Sequence, residues 1–282
     1  MRLDESYFET QAEKVKWLIK KAEEEGAEAI LQPGDFFDSP DVPLFVIQYY
    51  VNLLLESNMD VFTVFGQHDL RYHSKKKENT PLAVLLAAGV AILPYSGATG
   101  DKWDIYGASW GEEVPEVKNK KMVNVLLMHK MIVKEKIWEG QEEYVYAKHL
   151  FRKYPDYDLI VAGDNHESFL VSNGDRHVVN CGSLMRSRVD QRDHKPCCYI
   201  YDAERKTLEQ FEVPIQKADR ILDLKAAKRE KKRDERLEAF IGGLSDIEDL
   251  GLNFLSNLDD AMGRSKLGQG VRQIISEVVR DE

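Results

Sequence analysis

Ile30-Leu31-Gln32-Pro33-Gly34-Asp35-Phe36-Phe37-Asp38 is the stretch on which the fold of this chain turns. An apolar run ends at a Pro-Gly break, and two carboxylates follow, spaced by two aromatics. Apolar residues leading into such a break predict a buried strand whose C-terminal end opens into a loop. In open α/β sheets that end is where ligands bind. A carboxylate there is held on a rigid element yet faces a crevice, which suits a metal ligand. The same residues also fit an ordinary strand-to-helix turn, with Asp38 or Ser39 capping the next helix.

Three later stretches repeat the grammar. Val61-Phe62-Thr63-Val64-Phe65 is rich in β-formers and ends in Gly66-Gln67-His68-Asp69. Val123 to Met128 ends in His129, and Leu159-Ile160-Val161-Ala162 ends in Gly163-Asp164-Asn165-His166-Glu167. Four apolar strands therefore each deliver Asp, His or an amide to one rim. Burying so many ionisable groups together is costly unless they bind something, which points to metal-assisted chemistry.

In this order, Gly-Asp-x-x-Asp, Gly-Gln-His-Asp, a single His and Gly-Asp-x-His, the motifs resemble those of the calcineurin-type metallophosphoesterases. Among these the chain is most similar to the SbcD-type DNA-repair exonuclease subunits, in a phage-like form. The resemblance covers Asp4 to Ile215. It implies a layered α/β/β/α sandwich and a pair of divalent cations about 3.5–4 Å apart that activate water and relieve charge on a phosphate. It further implies Asp35 as the carboxylate shared by both ions. Gln67, His129 and Asp164 would complete one site, and His166 would serve the other together with an Asp and a His from an earlier Asp-x-His motif. His68 matches the residue that protonates the leaving oxygen or stabilises the transition state, with Asp69 orienting its ring. Oxygen and imidazole donors without thiolates favour Mn2+, with Mg2+ or another divalent ion as alternatives. Arg71 and Arg186 are candidates for gripping a substrate phosphate.

Three departures from the family pattern stand out. Gln67 replaces an Asn, offering the same carbonyl oxygen on a longer arm. Asp164 replaces a His, making its site richer in oxygen. The opening strand with Asp-x-His has no counterpart, since neither Asp4 nor its neighbours follow an apolar strand. The expectation is therefore a start downstream of the family's, with one tightly bound metal at most and little nuclease activity.

With 282 residues, the chain fits one large α/β domain plus a small appendage. A net charge of -10 argues against a generic polyanion binder, so any nucleic-acid contact must be local. Its three cysteines, Cys181, Cys197 and Cys198, form no CxxC and predict neither disulfides nor a zinc knuckle. No signal peptide or long apolar span is evident, so a cytoplasmic location is expected, host cytoplasm if the protein is phage-encoded.

Helical periodicity predicts helices over Asp4–Glu25, Val42–Leu55, Pro81–Ala88 with Thr80 as N-cap, and Glu142–Lys153. Further strands are expected at Ala91–Leu93 and Asp104–Ser109. Hairpins follow at Phe169–Val171 with His177–Val179, and at Cys198–Tyr201 with Leu208–Val213. The Gly182-Ser183 turn fits either a simple tight turn or a place near the metal rim. Residues 1–215 are thus expected to form the phosphoesterase domain and 216–282 a charged helical region. Within the latter, Ile221 to Ala239 carries a run of Lys and Arg that suits a solvated face, a phosphate-backbone strip or a docking helix.

Three function classes follow. The first is a DNA nuclease acting with an SbcC-type coiled-coil ATPase, with a homodimer as a further expectation and no membrane partner. The second is a phosphoesterase acting on small molecules. The third is a non-catalytic DNA-binding subunit, raised by the absent Asp-x-His.

Overall fold

Continuous burial of the central strands on both faces sets the layers. The computed structural model describes residues 7–57, 59–74, 76–95, 98–135, 144–186, 191–216, 258, 261–265 and 267–280. In chain order the strands are β1 (Ala29–Gln32), β2 (Asp60–Thr63), β3 (Ala98–Thr99), β4 (Trp103–Ala108), β5 (Val123–His129), β6 (Ile132–Val133) and β7 (Val145–Tyr146). They continue with β8 (Leu159–Gly163), β9 (Phe169–Asn173), β10 (Arg176–Asn180), β11 (Cys197–Asp202) and β12 (Thr207–Glu212). The helices are α1 (Tyr7–Glu24), α2 (Leu44–Glu56), α3 (Pro81–Ala87), α4 (Ala147–Lys153) and α5 (Gln269–Arg280).

Six strands form one sheet in the order β3-β4-β5-β8-β10-β9, parallel from β4 to β10. Side chains of a strand alternate between faces. Ile105, Val125, Leu127, Leu159, Val161 and Val179 accordingly share one buried cluster with Leu31, Phe62, Tyr199 and Leu208. Their neighbours Tyr106, Leu126, Met128, Ile160, Ala162 and Val178 pack the other face with Leu150 and Phe151 of α4. Two short sheets, β1-β2 and β11-β12, thus cover one face, and α4 covers the other. Outside β1-β2 lie α1, α2 and α3, whose Ile19, Ile47, Leu54, Leu82 and Leu85 meet Val61 and Phe65. The architecture is the expected α/β/β/α sandwich.

Two local expectations are corrected. Ala91–Leu93 is not a strand: Ile92 makes one isolated parallel bridge to Phe62, and Pro94, which has no N–H, follows at once. The Glu142–Lys153 helix begins only at Ala147, because Val145 and Tyr146 pair with Ile132 and Val133 instead; 142 and 143 lie outside the described residues. The α3 cap is as predicted, with the Thr80 hydroxyl accepting from the Ala83 N–H.

The chain divides into two compact units, Arg2–Leu222 and a second comprising Met1 and Asp223–Glu282. The basic run 221–239 lies outside the described residues. In the second unit, α5 places Val271, Ile274 and Ile275 at helical spacing, with Ile274 exposed. Among the described residues no helix is long and apolar enough to cross a membrane.

Candidate metal centre

The parallel register of β5 and β8 pairs His129 with Gly163 and so sets two motif ends side by side. β1 and β2, also parallel, bring the Asp35 and Gln67 loops together in the adjoining layer. Nδ1 of His129 lies 2.7 Å from the carbonyl oxygen of Pro33. A carbonyl only accepts, so Nδ1 carries the proton and Nε2 holds the lone pair of the neutral ring. Nε2 sits 3.3 Å from Oδ2 of Asp35 and has no hydrogen-bond partner, although the residue is 3 % exposed.

A second buried acceptor is left the same way. The Gln67 side-chain NH2 donates to Oδ1 of Asp164 at 2.7 Å, and Gln67 Oε1 has no partner. Orphaned buried polar atoms are costly, and two beside two carboxylates form a natural berth for a cation. Among the described residues no group of three His, Cys, Asp or Glu side chains is preset to hold a metal. The donors come as two pairs, Asp35 with His129 and Gln67 with Asp164, and one of the four is an amide. Each pair offers oxygen, amide or imidazole donors of the kind that divalent ions take.

Electrostatics give a different picture of the same pair, in which a proton on Nε2 would face the Asp35 carboxylate. Burial works against charge on Asp35, but the His129 imidazole and the His68 backbone N–H, 2.9 Å from Oδ1, hold its carboxyl below the ordinary range. Burial likewise works against a charged His129, and the Asp35 carboxylate outweighs it, raising the imidazole. Asp35 and Asp164 both sit at positive φ, +51° and +86°, a region non-glycine residues rarely enter. Such strain is a mark of functional positions.

Glycines make the close approach possible. A Cβ on Gly34 would strike the His129 ring, and one on Gly66 would strike Asp35. On Gly163 it would lie 2.8 Å from His129 Nδ1 and closer still to the Pro33 oxygen. The motif spellings contain these glycines, but the through-space contacts that demand them are not visible in the order of residues.

The remaining sequence-predicted residues divide. His68 is exposed at the rim, tied to the centre by its backbone. Asp69 does not orient the His68 ring. It is fully buried, and its oxygens accept from the backbone N–H groups of Phe36, Phe37 and Gly66, clamping the Asp35 loop to the Gln67 loop. Burial pushes its carboxyl up to about 6 against those three hydrogen bonds. His166 is exposed, and among the described residues no contact ties its ring to the Asp35–His129 pair. Its backbone carbonyl accepts from the Ser183 N–H, and Gly182, at φ +73°, packs against that carbonyl. The Gly182-Ser183 turn therefore belongs to the His166 loop. Asn180 fixes that loop from below, donating to the carbonyls of Asn165 and Glu167.

Neither arginine is poised at the centre. The guanidinium of Arg71 pairs with Asp41 at 2.8 Å and donates to the carbonyls of Pro40 and Asn79. Arg186 is buried and donates to the carbonyls of Arg192 and Gln216. Both hold loops together.

Carboxylates, an imidazole and an amide at the strand ends of a two-sheet sandwich define a metal-dependent hydrolase of phosphate esters. Residues 7–168, more than half of the chain, match the calcineurin-like phosphoesterases, and the chain belongs to that family. The family works with divalent metal ions and hydrolyses phosphoesters. Among solved structures, a Thermus thermophilus protein is 16 % identical, with 72 % of this chain and 94 % of that one covered and a TM-score of 0.48. An archaeal phosphodiesterase is 17 % identical over 71 % and 92 %, with a TM-score of 0.42. A hypothetical protein of Pyrococcus horikoshii is 16 % identical over 80 % and 88 %, also at 0.42. No curated protein sequence matches the chain.

Proposed function

We propose that this protein is a DNA nuclease of the SbcD type, hydrolysing phosphodiesters with Mn2+ and acting with an SbcC-type coiled-coil ATPase in recombination and repair. The observation that carries the hydrolytic part is the pair of orphaned buried donors, His129 Nε2 and Gln67 Oε1, beside Asp35 and Asp164. The order of the four motifs supports the SbcD-type assignment, and the apolar stripe of α5 suits a coiled-coil partner.

Asp35, Gln67, His129 and Asp164 would hold the ion. When bound, it would polarise the phosphate and offset the charge that develops in the transition state. The chain's own residues do the rest. The Pro33 carbonyl fixes the His129 tautomer, Asp164 orients the Gln67 amide, and Asp69 locks the two loops. His68, exposed at the rim, would hand a proton to the departing oxygen.

The test compares Mn2+-dependent cleavage of single-stranded DNA, duplex DNA, cyclic nucleotides and p-nitrophenyl phosphate by the purified chain, with metal counted by calorimetry. Slow cleavage of DNA that still outruns the small esters, abolished by His129→Ala, is the expected result. Hydrolysis of small esters alone would replace the nuclease assignment with a small-molecule phosphoesterase.

A further inference from the structure

Beyond His68 the chain presents a tyrosine that the fold does not use. Tyr72 is 97 % exposed. Among the described residues no hydrogen bond or ring contact engages its side chain. Its backbone is at φ +53°, ψ +32°, the left-handed region that glycine or asparagine enters at far lower cost. Burial, hydrogen bonding and backbone preference all fail to account for a tyrosine here. What is left is its ring.

The backbone turn that carries the ring is held firmly. Leu70, two residues earlier, is 2 % exposed and anchors the turn in the core. Arg71 ties the turn to two neighbouring loops through Asp41, Pro40 and Asn79. The Ser74 N–H closes it onto the Arg71 carbonyl at 3.0 Å. Tyr72 lies four positions after His68, at most about 15 Å of backbone. That is the span of a few nucleotides at about 3.4 Å rise each.

We infer that Tyr72 is a stacking platform for an unpaired nucleobase next to the scissile phosphate, which makes single-stranded nucleic acid the preferred substrate of the centre. This rests on the nuclease assignment above. An exposed aromatic with exposed His68 and Lys76 as neighbours is the combination that single-strand binders use. A protein-docking surface would instead need a contiguous apolar patch, and the turn around Tyr72 is polar. Stacking also explains the backbone strain: a ring must be projected away from the protein to receive a base face.

The experiment measures binding of fluorescein-labelled oligo-dT and of an abasic strand of equal length, in EDTA, by anisotropy. KM for each follows in Mn2+. Tyr72→Ala is expected to lower the ratio of oligo-dT to abasic affinity about tenfold, and Tyr72→Phe to restore it. Tyr72→Gly is expected to raise Tm by about 2–4 °C through relief of the positive φ while weakening oligo-dT binding. A purely structural tyrosine would not move those two readouts in opposite directions. An unchanged ratio in Tyr72→Ala, with wild-type protein cleaving DNA, overturns the stacking role alone. Wild-type protein that neither binds nor cleaves any nucleic acid overturns the nuclease assignment and this role with it.

Discussion

Replacing Gly163 by alanine tests the construction of the centre at its tightest point. The new methyl carbon would lie 2.8 Å from His129 Nδ1 and closer to the Pro33 carbonyl oxygen. Heavy atoms at rest keep about 3.5 Å, so the two groups must yield by roughly 1 Å. They are the donor and acceptor of the 2.7 Å bond that fixes the imidazole tautomer, and the methyl would wedge into it. Overpacking costs about 1–3 kcal/mol, and a lost buried hydrogen bond about 1 kcal/mol more. For a domain of this size that is a fall in Tm of about 4–16 °C. Disturbing the group that orients a metal-binding histidine weakens metal affinity about 10–100-fold. Differential scanning calorimetry of the metal-free protein reads the first effect, and Mn2+ titration calorimetry reads the second. A Gly163→Ala protein with wild-type Tm and wild-type Mn2+ affinity would refute the role given to the Pro33–His129 bond.

Three other outcomes are expected. His68→Ala should reduce turnover by about 10²–10⁴-fold while Mn2+ affinity stays near wild type, because only its backbone N–H touches Asp35; loss of metal binding would place the ring among the ligands. Lys77→Met should lower stability at pH 7 by about 0.5–1 kcal/mol, a modest figure because the Lys77–Glu112 pair is partly solvated. Partial burial opposes both charges, but Lys77 holds Glu112 below its ordinary value and Glu112 with Tyr95 raises Lys77. A depressed carboxyl contributes above its ordinary 4.5 and loses that contribution as pH falls through its folded value, while a raised lysine contributes below 10.5. The gap between wild type and variant in urea melts should therefore narrow as pH falls below 4.5 through the folded value of Glu112, and a gap that stays constant into strong acid would speak against the ion pair. Asn180→Ala should unfasten the His166 loop, read as faster amide exchange at Asn165 to Glu167 than in wild type; equal rates would show that the Asn180 side chain does not hold it.

Much of this was legible before any coordinates. Apolar runs ending at Gly34, Gly66 and Gly163 announce strands because periodicity and punctuation are local signals. Parallel pairing then places Asp35, Gln67, His129 and Asp164 at one rim. What stayed hidden depends on contacts distant in sequence. Asp69 reads as a partner of its neighbour His68, yet its hydrogen bonds go to backbone N–H groups more than thirty residues upstream as well as to Gly66. Arg186 reads as a grip for a substrate phosphate, but its guanidinium is spent on carbonyls inside the fold. Val145 and Tyr146 read as the first turn of a helix, and the pairing offered by Ile132 and Val133 takes them into a strand.

The four donors come from two different layers: Asp35 and Gln67 follow β1 and β2, whereas His129 and Asp164 follow β5 and β8. An ion seated among them would work as a rivet through both plates of the sandwich. The small plate is two strands of four residues each, so on its own it is the weaker of the two and the first to part during local breathing. Metal occupancy would then be felt less as a gain spread over the whole molecule than as a slowing of that one opening, by up to about 2.7 kcal/mol at a hundredfold excess over Kd. Amide exchange in β1 and β2 should fall on adding Mn2+ while β5 and β8, buried at the centre of the large sheet, hardly change. Catalytic competence and the cohesion of the two layers would in that case be one and the same equilibrium.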